Sequence, residues 1–378
     1  MGIEEANANF AGAHPEQRSS LLTNSLVFAI MLGALSIGCV AALIEIFPAI
    51  GGDVPAWLRW AALGSVPILI LQLYLQLLLQ ADYGFKLTNL AWMLGPVTNV
   101  AVNGTFAALG RLTVATAVAT WIAGQTLGTS LLLVSLVRRP GAFGRADLPL
   151  AGRSLSFGVK SHAGRVAMIG NYRLDQWILG AVSGPHALGV YSVAVAWSET
   201  LFFLPTSIVT AHRPDLVRAS PEAARRRATQ VFRATALVTL VSSVIVLLAS
   251  PFLVTTVFGE RFDGAVDDLR ILVLGALGIA ALKIFSNTLT AQGRPLRSSA
   301  GMAIALVVTI ALDIALIPTL DDRGAAIASA IAYTVGGVGM AGIFLRSMGG
   351  SVAGLIPRSA DATATWRVPQ RLLRWRAR

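Results

Sequence analysis

The sequence contains a single cysteine, Cys39, and only four histidines among its 378 residues. One cysteine cannot form a disulfide within the chain, and the histidines are too scattered to provide metal-ligand spacing. The sequence also lacks a G-x-x-x-x-G-K-S/T phosphate-binding loop. These absences exclude a disulfide scaffold and a cysteine- or histidine-based metal centre, and they disfavour ATP hydrolysis. We therefore expect no cofactor and no metal.

Charged residues are scarce as well. They make up 13% of the chain against 55% hydrophobic residues, and the mean hydropathy is +0.68. This composition excludes an ordinary water-soluble domain and predicts an all-α polytopic membrane protein, because a spanning helix needs about 20 apolar residues. The apolar runs predict about ten transmembrane helices. They lie at residues 21–47, 59–80, 89–110, 114–137, 155–181, 187–212, 231–258, 270–291, 299–320 and 324–345.

The net charge of +11 is distributed unevenly along the chain. Most arginines, including Arg225, Arg226 and Arg227, fall on one side of the predicted helices, and the acidic residues cluster on the other side. This positive-inside pattern predicts that both termini are cytosolic, and it does not require nucleic acid as a partner. The basic tail, 347–378, is expected to lie near anionic lipid, with a specific partner for it left open.

A shift of 211 residues relates the two halves of the chain. "LRWAALG" at 58–64 aligns with "LRILVLG" at 269–275. Parallel repeats of this kind predict two lobes related by an axis along the membrane normal. Helices 155–181 and 187–212 have no counterpart in the first half. We therefore expect a 4+6 arrangement derived from a 6+6 architecture by loss of the first two helices, and a genuine ten-helix protein is the alternative. The predicted divisions are a cytosolic segment at 1–20, an N-lobe at 21–137, a cytosolic linker at 138–154, a C-lobe at 155–346 and the tail.

Polar residues recur on one face of two helices that this shift aligns. Gln72 and Gln76 correspond to Lys283 and Asn287, and each pair is spaced by one helical turn. Polar groups at membrane depth usually face a bundle interior or a wet cavity. We interpret these stripes as cavity lining, whereas hydrogen bonding between helices would explain any one residue alone.

Ionisable residues are densest in helix 155–181. Arg173 and Asp175 are two residues apart and therefore cannot face each other on a helix. Each must find a partner elsewhere, and Lys283 is the predicted partner of Asp175. Guanidinium groups bind phosphate well, so a cationic cavity favours a diphosphate-bearing substrate. The alternative is that Arg173 snorkels to the interface and Asp175 caps a neighbouring helix.

The sequence resembles the polysaccharide-export flippases, the Wzx-like branch of the multidrug/oligosaccharidyl-lipid/polysaccharide superfamily. The resemblance is carried by "RLDQWILGAVSGPHALGVYSVAVAWSE" at 173–199, "VFGERFDGAVDDLRILVLG" at 257–275, "TAQGRP" at 290–295 and "LDIALIPTLDDRGAAIASAIAY" at 312–333. The first half matches less strongly, through "GIEEANANFAGA" at 2–13. Family members are similar in having twelve or fourteen helices in two lobes.

The resemblance implies a non-enzymatic flippase of the bacterial cytoplasmic membrane. It would move undecaprenyl-diphosphate-linked oligosaccharides to the outer leaflet for a surface polysaccharide, by alternating access coupled to an ion gradient or the membrane potential. The expected partners are this substrate and membrane lipids, with polysaccharide polymerase machinery left open, and the protein is expected to be a monomer. The implied roles are diphosphate binding by Arg165, Arg173 and Lys283, sugar binding by Gln72, Gln76 and Asn287, and ion coupling by Asp175, Glu199 and Asp313.

Three alternatives belong to other functional classes. A multidrug cation antiporter of the same superfamily would have an acidic, aromatic cavity. A membrane glycosyltransferase would need an acidic metal-binding motif and a large outer loop, which the spacing of the helices leaves no room for. An inactive truncated homologue is the third alternative.

Overall fold

The computed structural model describes residues 2–47 and 55–356, so the predicted basic tail lies outside the described residues from position 357 onward. The described residues form α-helices joined by short turns, with no strand among them. The chain divides into two compact units, residues 1–158 and 159–378.

The described residues of the first unit form six α-helices and the beginning of a seventh. The predicted span 59–80 is interrupted at Ser65, because Pro67 lies in the first turn of the helix that follows and cannot donate to the preceding turn. The helices are α1 (Ile3–Ala13), α2 (Arg18–Ile46), α3 (Ala56–Gly64), α4 (Val66–Gln80), α5 (Phe85–Ala108), α6 (Val114–Val137) and α7 (Leu148–Val182), of which α7 crosses into the second unit.

The core of the first unit lies between α2, α4 and α6. Leu75, Leu78 and Leu132 are fully buried there. Helices α5 and α6 approach closely through glycines, since a Cβ atom on Gly124 would lie only 3.0 Å from Cα of Gly95. Small residues at a crossing allow this close contact between membrane helices.

In the second unit, the described residues up to 356 form the rest of α7 and six further α-helices. The predicted span 187–212 is divided into α8 and α9 at Leu201, and the predicted span 270–291 is bent by 44° between α11 and α12. The helices are α8 (Gly184–Thr200), α9 (Phe203–Arg218), α10 (Pro221–Pro251, continued by a π turn at Phe252–Thr256), α11 (Ala265–Val273), α12 (Ala276–Ala291) and α13 (Pro295–Met348).

Helix α13 is broken at Asp321, where φ is 50° and ψ is −129°. Its 54 residues would extend about 80 Å at 1.5 Å per residue, far more than a bilayer of about 30 Å. The break therefore separates the two spans predicted at 299–320 and 324–345. The first half of α13 precedes Asp321 and the second half follows it.

Six helical stretches among the described residues are long and apolar enough to cross a membrane, and the bent α11–α12 pair makes a seventh. Helices α5 and α7, which cover predicted spans 89–110 and 155–181, are not in this set. Helix α7 carries Lys160, Arg165, Arg173 and Asp175, and charges at membrane depth usually mark functional positions. The all-helical polytopic fold class predicted from composition is confirmed.

Helix α12 lies at the centre of the second unit. Phe285 on this helix contacts Phe232 of α10 and Phe344 of α13, with ring centroids 4.9 and 4.5 Å away. On another side, a Cβ atom on Gly337 would lie 2.6 Å from Cα of Gly278. This packing holds Lys283, one turn and a half from Gly278, inside the unit.

Candidate functional site

Helix α7 and the first half of α13 lie side by side and run in the same direction. Gly164 contacts Ser299, and Asn171 contacts Thr309 further along both helices. The residue separations of these contacts are 135 and 138. The same register places Asp175 level with Asp313, which lies one turn beyond Thr309. Both carboxyl side chains are buried, with exposed fractions of 1% and 0%.

Asp175 accepts two hydrogen bonds from hydroxyl groups. The Tyr191 hydroxyl donates to Oδ2 at 2.5 Å, and the Ser329 hydroxyl donates to the same oxygen at 2.9 Å. Lys283 contacts the ring of Tyr172 instead. The predicted Asp175–Lys283 ion pair is therefore wrong, because neutral donors on α8 and α13 satisfy the carboxylate.

Asn171, one turn before Asp175, extends this polar network. Its Oδ1 accepts a hydrogen bond from the Thr309 hydroxyl at 2.7 Å, and its Nδ2 donates to the carbonyl of Met302 at 3.3 Å. The Tyr333 hydroxyl donates to its backbone carbonyl at 3.2 Å. The network thus fixes α7 against both halves of α13 around Asp175.

Asp313 differs from Asp175 in its surroundings. Both of its carboxylate oxygens are buried and have no hydrogen-bond partner among the described residues, and the group interacts electrostatically with Asp175. A buried carboxyl group without hydrogen-bond donors is costly to keep charged. Asp313 lacks the donors that satisfy Asp175.

Arg173 forms an ion pair with Glu199 at the end of α8, with Nη1 3.0 Å from Oε1. The pairing agrees with the prediction that Arg173 does not pair with Asp175 on its own helix. The side chains are 43% and 30% exposed, so the pair contributes little to stability, about 0–1 kcal/mol.

Lys283 lies against an aromatic ring rather than an acid. Its Nζ is 5.6 Å from the ring centroid of Tyr172, and within the described residues it forms no hydrogen bond or ion pair. One turn further along α12, Asn287 accepts a hydrogen bond from Nη1 of Arg213 at 3.5 Å. The Nδ2 of Asn287 is buried with no partner in the described part of the chain. Lys283 and Asn287 thus present hydrogen-bond donors in the same region.

The remaining predicted site residues are Arg165, Gln72 and Gln76. Arg165 is half-buried on α7, about 12 Å along the helix axis from Arg173. Gln76 is half-buried on α4, and Gln72 reaches the crossing of α4 with α6, where its Nε2 would lie 2.9 Å from a Cβ atom on Gly128. Both glutamines belong to the first unit, whereas the charged cluster belongs to the second. The part of the chain described contains no group of three or more His, Cys, Asp or Glu side chains arranged to hold a metal.

Sequence reasoning missed several residues of the cluster. Tyr172, Tyr191 and Ser329 contact Lys283 or Asp175 directly, and Arg213, which is only 8% exposed, donates to Asn287. Isolated hydroxyls and aromatic rings in apolar helices carry no signal of their own. The packing of α7 against α8, α12 and α13 reveals the three contacts of Lys283 and Asp175.

Comparison with known proteins places this architecture in a family. Residues 1–267 match the family described as polysaccharide biosynthesis protein. The chain belongs to this family. The resemblance to polysaccharide-export proteins is thereby confirmed. No curated protein matches the chain.

Solved transporters share the fold of this member of the polysaccharide biosynthesis family. The crystal structure of a MATE in the straight conformation is 16% identical, with a TM-score of 0.79 over 91% of this chain and 82% of that chain. A MATE in complex with MaL6 is 16% identical, with a TM-score of 0.80 over 91% and 83%. A MOP superfamily transporter from Pyrococcus furiosus is 16% identical, with a TM-score of 0.74 over 93% and 84%. At these identities the likeness establishes the fold alone, and with the apolar helices it indicates a multi-pass membrane protein.

Proposed function

We propose that the protein is a flippase that moves undecaprenyl-diphosphate-linked oligosaccharides across the bacterial cytoplasmic membrane by alternating access. It would act without covalent chemistry, as a monomer with cytosolic termini, and its cargo would be destined for a surface polysaccharide. Membership of the polysaccharide biosynthesis family and the MATE-like fold support a transporter in this pathway. The observation that carries the substrate class is the ammonium group of Lys283, which lies inside the second unit and has no acidic partner among the described residues.

An anion is the natural ligand for this region. Lys283 and the buried Nδ2 of Asn287 are both donors on one face of α12, and neither is occupied by an acid of the described residues. An isolated charge is costly to bury, and a phosphate oxygen would compensate it. We propose that Lys283, with Arg173 and Arg165 of α7, binds the diphosphate, and that Asn287, Gln72 and Gln76 contact sugar hydroxyls.

Ion coupling is proposed to occur at Asp175 and Asp313. The two carboxyl groups lie level on α7 and α13, and the oxygens of Asp313 have no protein donor in the described chain. Loading or losing a proton or cation there would change the charge between two helices that flank the cluster. Glu199 is less suited to this role because Arg173 already matches its charge.

The two lobes of the proposed mechanism follow the repeat in the sequence. Four helices in the first lobe and six in the second would alternate between openings to the two sides, as in transporters built from repeats. The positive-inside distribution of arginines supports cytosolic termini.

The proposal is tested with purified protein in liposomes containing a fluorescent undecaprenyl-diphosphate oligosaccharide. Flipping is measured as the fraction of headgroups that an added membrane-impermeant quencher reaches. We expect Lys283→Gln to abolish most flipping, whereas Lys86→Gln, which removes an exposed lysine of α5, leaves it unchanged. Normal flipping by Lys283→Gln contradicts the proposal. Uptake of a lipophilic cation without any lipid flipping would instead identify a multidrug antiporter.

A further inference from the structure

We propose that Tyr172 is a positioning residue for Lys283, whose ammonium group it holds by its ring face so that the charge and N–H donors remain available to the diphosphate. This inference rests on the proposed function and specifies how its anion site is built. Tyr172 and Lys283 are not joined by a hydrogen bond. The contact is a cation–π interaction, with Nζ 5.6 Å from the ring centroid, within the usual limit of about 6 Å.

The two acids of this region, Glu199 and Asp175, are already engaged. Oε1 of Glu199 lies 3.0 Å from Arg173, and Oδ2 of Asp175 accepts hydrogen bonds from Tyr191 and Ser329. A lysine inside a helical bundle is ordinarily neutralised by a carboxylate. Here the aromatic ring takes the place of that carboxylate, while Glu199 contributes only a longer-range attraction.

A ring and a carboxylate have different consequences for an anionic ligand. A carboxylate would accept the ammonium hydrogens and cancel the positive charge, so a phosphate would have to displace it. The face of an aromatic ring attracts the cation through its quadrupole and leaves the other side of the ammonium group open. Tyr172 therefore stabilises the charged lysine without competing for the substrate.

The Tyr172 ring is itself fixed by two other rings. It stacks on Phe202, at the junction of α8 and α9, with centroids 5.7 Å apart and planes inclined by 18°. Tyr333 of α13 meets both rings edge-on, at 6.2 and 6.0 Å. Three elements thus set the orientation of the face on which Lys283 lies.

The Tyr172 hydroxyl makes no contribution to this arrangement. Its oxygen is buried and has no hydrogen-bond partner among residues 2–47 and 55–356. The ring face, rather than the hydroxyl, must account for any effect on Lys283. This separates a cation–π role from a hydrogen-bonding role, since Tyr172→Phe retains the face and removes only the hydroxyl.

The test measures binding of undecaprenyl diphosphate to the full-length protein in nanodiscs. The variants are Lys283→Gln, Tyr172→Phe and Tyr172→pentafluorophenylalanine. Fluorination nearly keeps the shape of the ring and reverses its quadrupole, so comparison with Tyr172→Phe isolates the electrostatic contribution of the ring, and the thermal stability reports any effect on its packing against Phe202 and Tyr333. We expect Tyr172→Phe to bind within about twofold of the unmodified protein, and the fluorinated ring to weaken binding about tenfold, as the strength of cation–π contacts implies. Combining the fluorinated ring with Lys283→Gln should add nothing further.

Each outcome separates this inference from the proposed function. Loss of binding in Lys283→Gln with full binding by the fluorinated variant overturns the role of Tyr172 and leaves the flippase proposal intact. A tenfold loss in Tyr172→Phe also overturns it, because the hydroxyl would then be the active group. Full binding by Lys283→Gln overturns the anion site itself. Retained thermal stability of the fluorinated variant confirms that any loss arises from the altered ring face.

Discussion

The hydroxyl group of Ser299 lies 3.0 Å from the backbone amide of Gly164, which donates a hydrogen bond to it. The same hydroxyl donates to the carbonyl of Lys160. Lys160 lies four residues before Gly164, and in a regular α-helix its carbonyl would be the acceptor for the Gly164 amide. Ser299 therefore attaches α13 to the backbone of α7, and the absence of a side chain at position 164 makes room for it. This attachment sets the register that brings Asp175 level with Asp313.

The first prediction concerns the close approach at Gly164. A Cβ atom there would lie 2.7 Å from Oγ and 3.0 Å from Cα of Ser299, so Gly164→Ala must push the two helices apart. We expect a loss of about 1–3 kcal/mol in the free energy of unfolding, measured as a lower thermal midpoint in detergent. Gly152→Ala on the same helix is the control, because a Cβ atom there meets nothing within 4 Å. Equal midpoints for the two variants would contradict the packing.

The second prediction concerns Asp82, in the turn between α4 and α5. Its Oδ1 pairs with Arg18 at the start of α2, and its Oδ2 lies 2.7 Å from Nη1 of Arg139 after α6. Asp82→Asn leaves two partly buried guanidinium groups without their acceptor, and we expect a loss of about 1–2 kcal/mol in unfolding free energy. The loss should shrink in high salt, which screens the pairs.

Arg138→Gln is the matched control for Asp82→Asn. Arg138 precedes Arg139 directly but is exposed. Its removal should change the free energy of unfolding by less than about 0.5 kcal/mol. If Asp82→Asn were as stable as this control at low salt, the ion pairs of Asp82 with Arg18 and Arg139 would not contribute to the stability of the first unit.

The spacing of apolar residues predicted the helices well because membrane thickness and helical rise determine it. It did not predict the interruptions at Ser65 and Leu201, because an apolar run gives the length of a span and not its breaks. The break at Ser65 follows from Pro67 in the next helical turn. Helical geometry also predicted that Arg173 pairs with a residue other than Asp175, and that residue is Glu199.

The partners of Asp175 were harder to predict. Tyr191 is 16 residues away and Ser329 is 154 residues away, and neutral hydroxyls are common in membrane helices. A search for opposite charges favours Lys283 as the partner, whereas hydroxyl donors satisfy a buried carboxylate without burying a second charge. The same reasoning missed Tyr172, since a tyrosine in an apolar helix is normally part of the core.

The third prediction tests Asp313 as a coupling group. Asp313→Asn removes a buried carboxyl that has no hydrogen-bond partner in the described residues, so the variant should fold with equal or greater stability. Flipping in liposomes should then lose its dependence on an imposed proton or sodium gradient. Glu260→Gln, in an exposed turn of the same unit, should retain that dependence. A gradient effect of normal size in Asp313→Asn would rule out this residue as the coupling group.

The last prediction separates two roles for the Arg173–Glu199 pair. If Arg173 binds diphosphate, the position of its charge matters; if it only pairs with Glu199, the two charges are interchangeable. We expect Arg173→Gln to lower flipping at least tenfold with less than about 1 kcal/mol change in stability, because the pair is substantially exposed. The exchanged variant, Arg173→Glu with Glu199→Arg, should recover stability and remain inactive, since the guanidinium group then lies at the end of α8 instead of on α7. Recovery of flipping by the exchanged variant would mean that the pair acts only as a link between the two helices, and the diphosphate would then depend on Lys283 alone among the cations of this cluster.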